Sequence, residues 1–122
     1  MAMVTVMTTG EAGQRANNCG ETRALLEHVT SKWGVLVLLI LSEGTQRWSE
    51  LKRRIDGVSE KMLIQTLQTL ERDGLVVRTA HPVVPPHVDY ALSPAGREAA
   101  ELLAPLVSWV AERVDATVSV VE

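Results

Sequence analysis

The side chains in this sequence that most clearly suggest a chemical role lie in residues 59–74. Over this stretch leucines recur at helical spacing and share one face, Leu63, Leu67 and Leu70. At about 100° per residue, the opposite face carries cations and amides, namely Lys61, Gln65, Gln68 and Arg72. Such side chains can hydrogen-bond base edges and phosphates in the major groove of DNA. This stretch alone is equally compatible with an ordinary amphipathic helix whose polar face is solvated.

Local signals define where this helix begins and ends. Ser59 is a typical N-cap, and Gly74 can adopt the left-handed conformation needed just past a C-terminus. A shorter helix is predicted before it over residues 50–55, capped by Ser49 and carrying a compact basic run. Residues 56–58 form a tight turn between the two helices. Two helices joined by a short turn that contains glycine have the spacing of a helix-turn-helix.

A β-hairpin is predicted directly after this pair of helices. Residues 75–80 are rich in β-branched side chains, and residues 88–92 alternate apolar and polar positions, so both stretches predict strands. Between them, residues 81–87 contain three prolines and form a loop. A hairpin behind a helix-turn-helix is typical of a wing.

These elements assign the candidate contacts with DNA. Base-edge contacts are predicted for Lys61, Gln65 and Gln68, with phosphate or secondary contacts for Ser59, Thr69 and Arg72. Phosphate or wing contacts are predicted for Arg47, Lys52, Arg53, Arg54, Arg78, His81 and His87. For each residue the alternative is plain solvent exposure.

The flanking segments predict further helices. Residues 1–18 lack periodicity and predict a flexible arm, whereas residues 21–29 and 32–41 predict two helices. The last helix begins at Ser93-Pro94 and carries an apolar stripe. Pro105 predicts a kink or a break into two helices.

Composition and motifs exclude several classes of protein. The 122 residues fit one domain, and a single cysteine excludes a disulfide framework. No signal peptide or membrane-length apolar run is present, so we expect a soluble cytoplasmic protein. Phosphate-binding glycine loops and nucleophile motifs are lacking, and the three histidines show no metal-ligand spacing with carboxylates. No enzymatic activity, metal or cofactor is therefore expected.

The chain resembles the HxlR-type winged-helix transcriptional regulators, within the wider MarR-like group. The resemblance covers roughly residues 19–114 and is carried by Cys19, Lys32-Trp33, Gly44, Arg47-Trp48, Gly57-Val58-Ser59, Asp73-Gly74-Leu75, Val84-Pro85-Pro86-His87-Val88-Asp89-Tyr90, Gly96 and Trp109. Departures from the usual pattern are mild and fall at Gly20, Ser31 and Trp48. The resemblance implies a mainly α fold with a small β-hairpin wing.

It also implies a homodimer. In such proteins the first and last helices pair across a two-fold axis, which here involves Leu25, Leu102, Leu106, Trp109, Val110 and Val114. The alternative is that the apolar stripe covers the back of its own domain. The expected organisation is therefore an arm over 1–18, a winged helix-turn-helix domain with dimerisation helices over 19–114, and a tail over 115–122.

The function implied is a sequence-specific regulator that binds an inverted repeat in double-stranded DNA. Family members that sense oxidants or electrophiles through an N-terminal cysteine make Cys19 a possible sensor, and a small-molecule effector is a related possibility. An unreactive cysteine near the dimer interface is the alternative. A different class of function, a winged-helix module for protein association without DNA binding, is suggested by the net charge of -3 and the apolar last helix.

Overall fold

Six helices and three strands make up the part of the chain that the structure describes. The structure is a computed structural model covering residues 7–121, with side chains described through residue 117. In chain order the elements are α1 Thr9–Asn18, α2 Gly20–Thr30, α3 Lys32–Leu41, β1 Gln46–Arg47, α4 Trp48–Arg54, α5 Glu60–Arg72, β2 Val76–His81, β3 His87–Leu92 and α6 Pro94–Val121. The strands form one antiparallel sheet in the order β1-β3-β2. The predicted class, mainly helical with a β wing, is confirmed.

Helix α5 is held by the features that predicted it. Its three leucines, Leu63, Leu67 and Leu70, are at most 1% exposed, so one face is wholly inside the core. The Ser59 hydroxyl accepts a hydrogen bond from the backbone N–H of Met62 at 3.1 Å, which satisfies an N–H without a helical partner. Gly74 follows the C-terminus with φ of +77°, a conformation that glycine adopts without steric cost.

The core against which α5 packs is aliphatic. Helix α3 supplies its centre, and α4, the sheet and α6 close it from other sides, with buried side chains Val37, Leu38, Leu41, Leu51, Ile55, Val58, Leu75, Val76, Tyr90, Leu92, Ala100 and Leu103. Leu51 and Ile55, four residues apart, anchor the short basic helix to this core. No polar or charged residue among those described is buried, so the hydrophobic effect supplies most of the stability here.

Residues 9–18 of the predicted arm form a helix, α1, that the sequence interpretation did not predict. Residues 9–18 are helical because Thr8 and Glu11 form a capping box, a signal that the absence of apolar periodicity obscured. The Glu11 backbone N–H donates to the Thr8 hydroxyl at 3.1 Å, and the Thr8 N–H donates to the Glu11 carboxylate at 3.2 Å. Residues 1–6 of the predicted arm lie outside the described residues.

Two other boundaries differ from prediction. Helix α4 begins at Trp48, directly after β1, and Arg47 takes the N-cap position, so Ser49 is not the cap. Helix α6 runs unbroken through Pro105 to Val121, so of the two predicted outcomes at Pro105, a kink or a break into two helices, the break does not occur. Pro105 is exposed, and water can solvate the carbonyl that its missing N–H leaves unbonded. The helix also continues into the predicted tail, of which Glu122 lies outside the described residues.

Within residues 7–121, no single helix is long and apolar enough to cross a membrane. Helices α2 and α3 meet that criterion only when taken together, and they are bent by 68° where they meet.

Gly96 allows α6 to start against the sheet. The Ser93 hydroxyl accepts a hydrogen bond from the Gly96 N–H at 3.0 Å, and the Ser93 N–H donates to the Leu75 carbonyl at 3.0 Å. A Cβ added at Gly96 would lie 2.0 Å from that same carbonyl oxygen. Backbone on both sides leaves little room for adjustment.

We therefore expect Gly96→Ala to lower the free energy of unfolding by about 1–3 kcal/mol, the usual cost of overpacking. Urea denaturation followed by circular dichroism measures this. Gly13→Ala is the matched control, because nothing lies within 4 Å of a Cβ there. Equal stability of both variants and the parent would contradict the close approach.

Candidate nucleic-acid interface

The exposed side of α5 presents the predicted contact residues together. Lys61, Gln65, Gln68 and Arg72, which we call the polar face, are all exposed and line one shallow concave surface. The Arg72 Nε donates to the Gln68 backbone carbonyl at 3.4 Å, a long contact that leaves the guanidinium free to reorient. Helical periodicity and burial of the leucines therefore place four hydrogen-bonding side chains outward on one element.

Ile64 is a residue on this surface that the sequence interpretation missed. It lies one turn after Lys61 and one turn before Gln68, is 44% exposed, and lines the same concave surface. An exposed apolar side chain on such a helix can contact the methyl group of thymine. Its position four residues before Gln68, one helical turn away, could have identified it from the sequence as part of this surface.

Two other predicted contacts on α5 are less free. The Ser59 hydroxyl is engaged as the helix cap, although its own hydrogen can still be donated. Thr69 is half-buried. Both side chains fit secondary contacts better than base recognition.

A groove runs between α5 and the wing. Its lining includes residues from five elements, among them Arg47, Gln68, Glu71, Arg78 and His87. Arg78 stands opposite Tyr90 in the register of β2 and β3, which puts it on the sheet face that looks toward the core and α5. The groove thus joins the polar face of α5 to Arg78. Arg47 also borders the groove, although its pairing with Asp89 assigns its side chain to the other face of the sheet.

The basic run on α4 is partly neutralised by acids. The guanidinium of Arg53 pairs with Glu50 at 2.5 Å, and that of Arg54 pairs with Glu43 at 2.5 Å. Lys52 is half-buried and forms no ion pair with the described residues. Ion pairs this exposed contribute about 0–1 kcal/mol, so a phosphate can displace the carboxylates.

The wing brings together three groups that the sequence interpretation treated as unrelated. His81 and His87 are register partners at the end of the hairpin, with ring centroids 4.6 Å apart. The Nε2 of His81 lies 2.9 Å from Oδ2 of Asp89. The interpretation that the histidines lack metal-ligand spacing with carboxylates is therefore wrong for this pair. Counting the hairpin register across the proline loop would have found the cluster.

Cys19 occupies the N-cap position of α2 and is half-buried. Its thiol completes no cap hydrogen bond. The nearby hydroxyl of Thr22, and then its backbone N–H, favour the thiolate and lower the pKa of Cys19, whereas desolvation and the charge of Glu21 act in the opposite direction.

The residues predicted for a dimer interface are all exposed in the single chain. On α6 the exposed apolar side chains, which we call the apolar arc, are Leu102, Leu106, Trp109, Val110 and Val114. Leu102 is 78% exposed, and Leu25 of α2 is 43% exposed. Glu101, Ser108 and Glu112 lie on the opposite side of the helix, whereas Arg113 lies over the ring of Trp109. The apolar arc is therefore not consumed by the chain's own core.

The order of elements is that of a winged helix-turn-helix protein, a class built to bind DNA. It consists of the short helix α4, the turn over 55–59, α5 and then the β2–β3 hairpin. Residues 28–118 match the family model described as HxlR-like helix-turn-helix. The chain belongs to this family. Its members are transcriptional regulators and not enzymes, in agreement with the sequence interpretation.

Individual relatives agree with the family. The chain is 57% identical over 89 residues to the HTH-type transcriptional regulator YtfH of Escherichia coli K12, covering 73% of this chain and 71% of that protein. A solved structure of ytfH from Salmonella typhimurium is 47% identical, covers 85% of this chain and 92% of its own, and has a TM-score of 0.78. The redox regulator HypR in its oxidized form is 28% identical, with coverage of 73% and 92% and a TM-score of 0.67.

We expect Thr22→Val to raise the pKa of Cys19, because valine keeps the shape of threonine but cannot donate a hydrogen bond to the thiolate. The pH dependence of alkylation by iodoacetamide measures this. The midpoint should move to higher pH, and the rate at neutral pH should fall. Thr22→Ser retains the hydroxyl and is the control, so an equal shift in both variants would contradict the role of the hydrogen bond.

Proposed function

We propose that this transcriptional regulator binds specific DNA sequences by inserting the polar face of α5 into the major groove. The observation that carries the proposal is the division of α5 into a fully buried leucine face and an exposed face of amides and cations. Lys61 to Gln68 spans about 10 Å at 1.5 Å per residue. That length matches about three base-pair steps of 3.4 Å each.

Different residues then take different roles. Lys61, Gln65 and Gln68 contact base edges, and Ile64 supplies an apolar contact beside them. Arg72, near the C-terminus of the helix, contacts phosphate. Arg47 and Arg78 lie at the groove beside α5 and bind the backbone, with His81 and His87 farther out on the wing.

The basic helix α4 contributes weaker contacts with phosphate. Arg53 and Arg54 must exchange their carboxylate partners for phosphate, so their net gain is smaller than that of a free cation. The chain as a whole carries a net charge of -3. We therefore expect modest affinity with a measurable dependence on salt.

The alternative function, a protein-association module without DNA binding, rests on the acidic net charge and the exposed apolar arc of α6. It predicts no DNA affinity at low salt. A dimer interface accounts for the same apolar arc without requiring another partner. The polar face of α5 therefore favours the regulator.

We expect footprinting across the gene's own promoter region to find a protected site at low salt. On that site, Gln65→Ala should cost about 1–3 kcal/mol and relax specificity at one base pair. Arg78→Ala should weaken binding to all sequences and reduce the salt slope by about one per protomer. Quantitative gel shifts measure both effects.

Gln14→Ala, at an exposed position on α1, is the control for these variants and should bind like the parent. The absence of any specific protection at low salt, from protein whose circular dichroism is native, would overturn the proposal. That result would favour the alternative function, a protein-association module without DNA binding.

We also propose that the chain acts as a homodimer, with α2 and α6 at its interface. Five exposed apolar side chains on one side of α6 are costly to leave in water, and a second copy of the chain can cover them. A two-fold axis would present two copies of α5 to the DNA. The expected site is an inverted repeat whose half-sites lie one helical turn or a small multiple apart.

We expect Leu106→Asp to convert a dimer to a monomer, because a carboxylate would be buried without a partner in the interface. Sedimentation velocity measures the change. Ser108→Asp is the matched control, since it adds the same charge on the opposite side of α6. A parent protein that sediments as a monomer, or an equal effect of both variants, would contradict the interface.

Redox or electrophile sensing through Cys19 is a second candidate activity. It is favoured by the lowered pKa of the thiol, and HypR, a structural relative, is described as a redox regulator. Cys19 begins α2, so modification there would act on a helix of the proposed dimer interface. A small-molecule effector could act on the same equilibrium. Alkylated protein that binds its DNA site as tightly as untreated protein would remove the thiol-based version.

A further inference from the structure

Strand register builds a compact cluster of potential metal ligands at the end of the wing. His81 on β2 pairs directly with His87 on β3, and Asp89 lies two residues beyond His87 on the same strand. Since side chains alternate between faces along a strand, all three groups lie on one face of the hairpin. This face is the opposite of the one that carries Arg78, Tyr90 and the core contacts. We call His81, His87 and Asp89 the wing cluster.

We propose that the wing cluster binds a divalent transition-metal ion of the zinc class. One ligand atom from each of the three residues lies within 4.8 Å of the others. Two ligands of one tetrahedral zinc ion are separated by about 3.3 Å when metal–ligand bonds are near 2.0–2.1 Å. The Nε2 of His81 and Oδ2 of Asp89 already lie 2.9 Å apart. Rotation of the side chains would bring all three ligand atoms to the separation that one ion requires.

The hydrogen bonding of His87 favours this use. Its Nδ1 lies 3.4 Å from the backbone carbonyl of Pro85. A carbonyl can only accept, so the contact is a hydrogen bond when Nδ1 carries a proton, and in that neutral tautomer Nε2 keeps its lone pair. Orientation of a ligating imidazole by a carbonyl on its other nitrogen is the usual support in metal sites.

The chemistry of the donors selects the class of ion. Two imidazoles and one carboxylate suit zinc, cobalt or nickel, whereas magnesium prefers oxygen ligands in octahedral geometry. All three side chains are partly exposed, so an ion can enter and a fourth position remains for water.

The competing interpretation is that the cluster stabilises the hairpin without a metal. An ion pair between His81 and Asp89 and the stacking of His81 on His87 are sufficient for that role. Arg47, the register partner of Asp89 on β1, adds a positive charge near the site. The chain offers a useful comparison in His28 and Asp73, whose atoms lie 2.8 Å apart and which are not part of any cluster of three potential ligands among the described residues.

The test is titration of the tag-free full chain with Co²⁺, whose tetrahedral complexes absorb visible light. We expect one strongly absorbing site per chain, bleached by Zn²⁺ and unaffected by Mg²⁺. His87→Gln and Asp89→Asn preserve shape but remove a ligand. Each should weaken binding by at least the roughly 10- to 100-fold that loss of a supporting group costs.

Two controls separate the wing cluster from other donors. His28→Ala and Cys19→Ser should each retain the absorbance and its Zn²⁺ competition. Thermal unfolding without metal checks that the wing variants fold, and Zn²⁺ should raise the unfolding temperature of the parent but not of either wing variant. Absent absorbance, an equal spectrum in the wing variants, or its loss in Cys19→Ser would overturn the proposal. None of these measurements requires DNA, so the outcome is independent of the proposed function.

Discussion

The burial of three leucines on one side of α5 is the constraint on which the rest of the structure depends. Leu63, Leu67 and Leu70 are essentially inaccessible to water, and together they fix the rotation of the helix about its own axis. Once that rotation is fixed, helical geometry leaves no choice about which side chains face outward. The polar face is exposed because the leucine face is buried against the aliphatic core around α3.

The C-terminal end of α5 is tied to helices at both ends of the chain. The carboxylate Oδ2 of Asp73, the C-cap residue, lies 2.8 Å from Nδ1 of His28 on α2. The hydroxyl of Ser93, just before α6, donates a hydrogen bond to the backbone carbonyl of Gly74 at 2.5 Å. The helix that carries the polar face is therefore bonded to the two helices that expose apolar surface. These two hydrogen bonds connect the end of α5 to α2 and to the start of α6.

The wing has two chemically different faces because side chains alternate along each strand and register partners on β2 and β3 share a face. One face contributes Val76, Tyr90 and Leu92 to the core and directs Arg78 toward the groove beside α5. The other collects the wing cluster. A slip of one residue would exchange the faces and expose the buried side chains. Core packing thus holds the histidines together, although neither histidine belongs to the core.

Local signals were sufficient to predict α3, α5, the wing strands and the resemblance to the family, because caps, leucine spacing and proline positions act within a few residues. The polar face of α5 follows from the same periodicity. The helix over Thr9–Asn18 was also encoded locally, by a capping box, and was overlooked. The continuity of α6 through Pro105 depended on exposure, which a sequence does not state. The ion pairs on α4, the bond from His28 to Asp73 and the wing cluster join residues whose distance apart is decided only when the strands pair and the helices pack. Residue types alone determined what chemistry was available, and tertiary structure decided which of those groups meet.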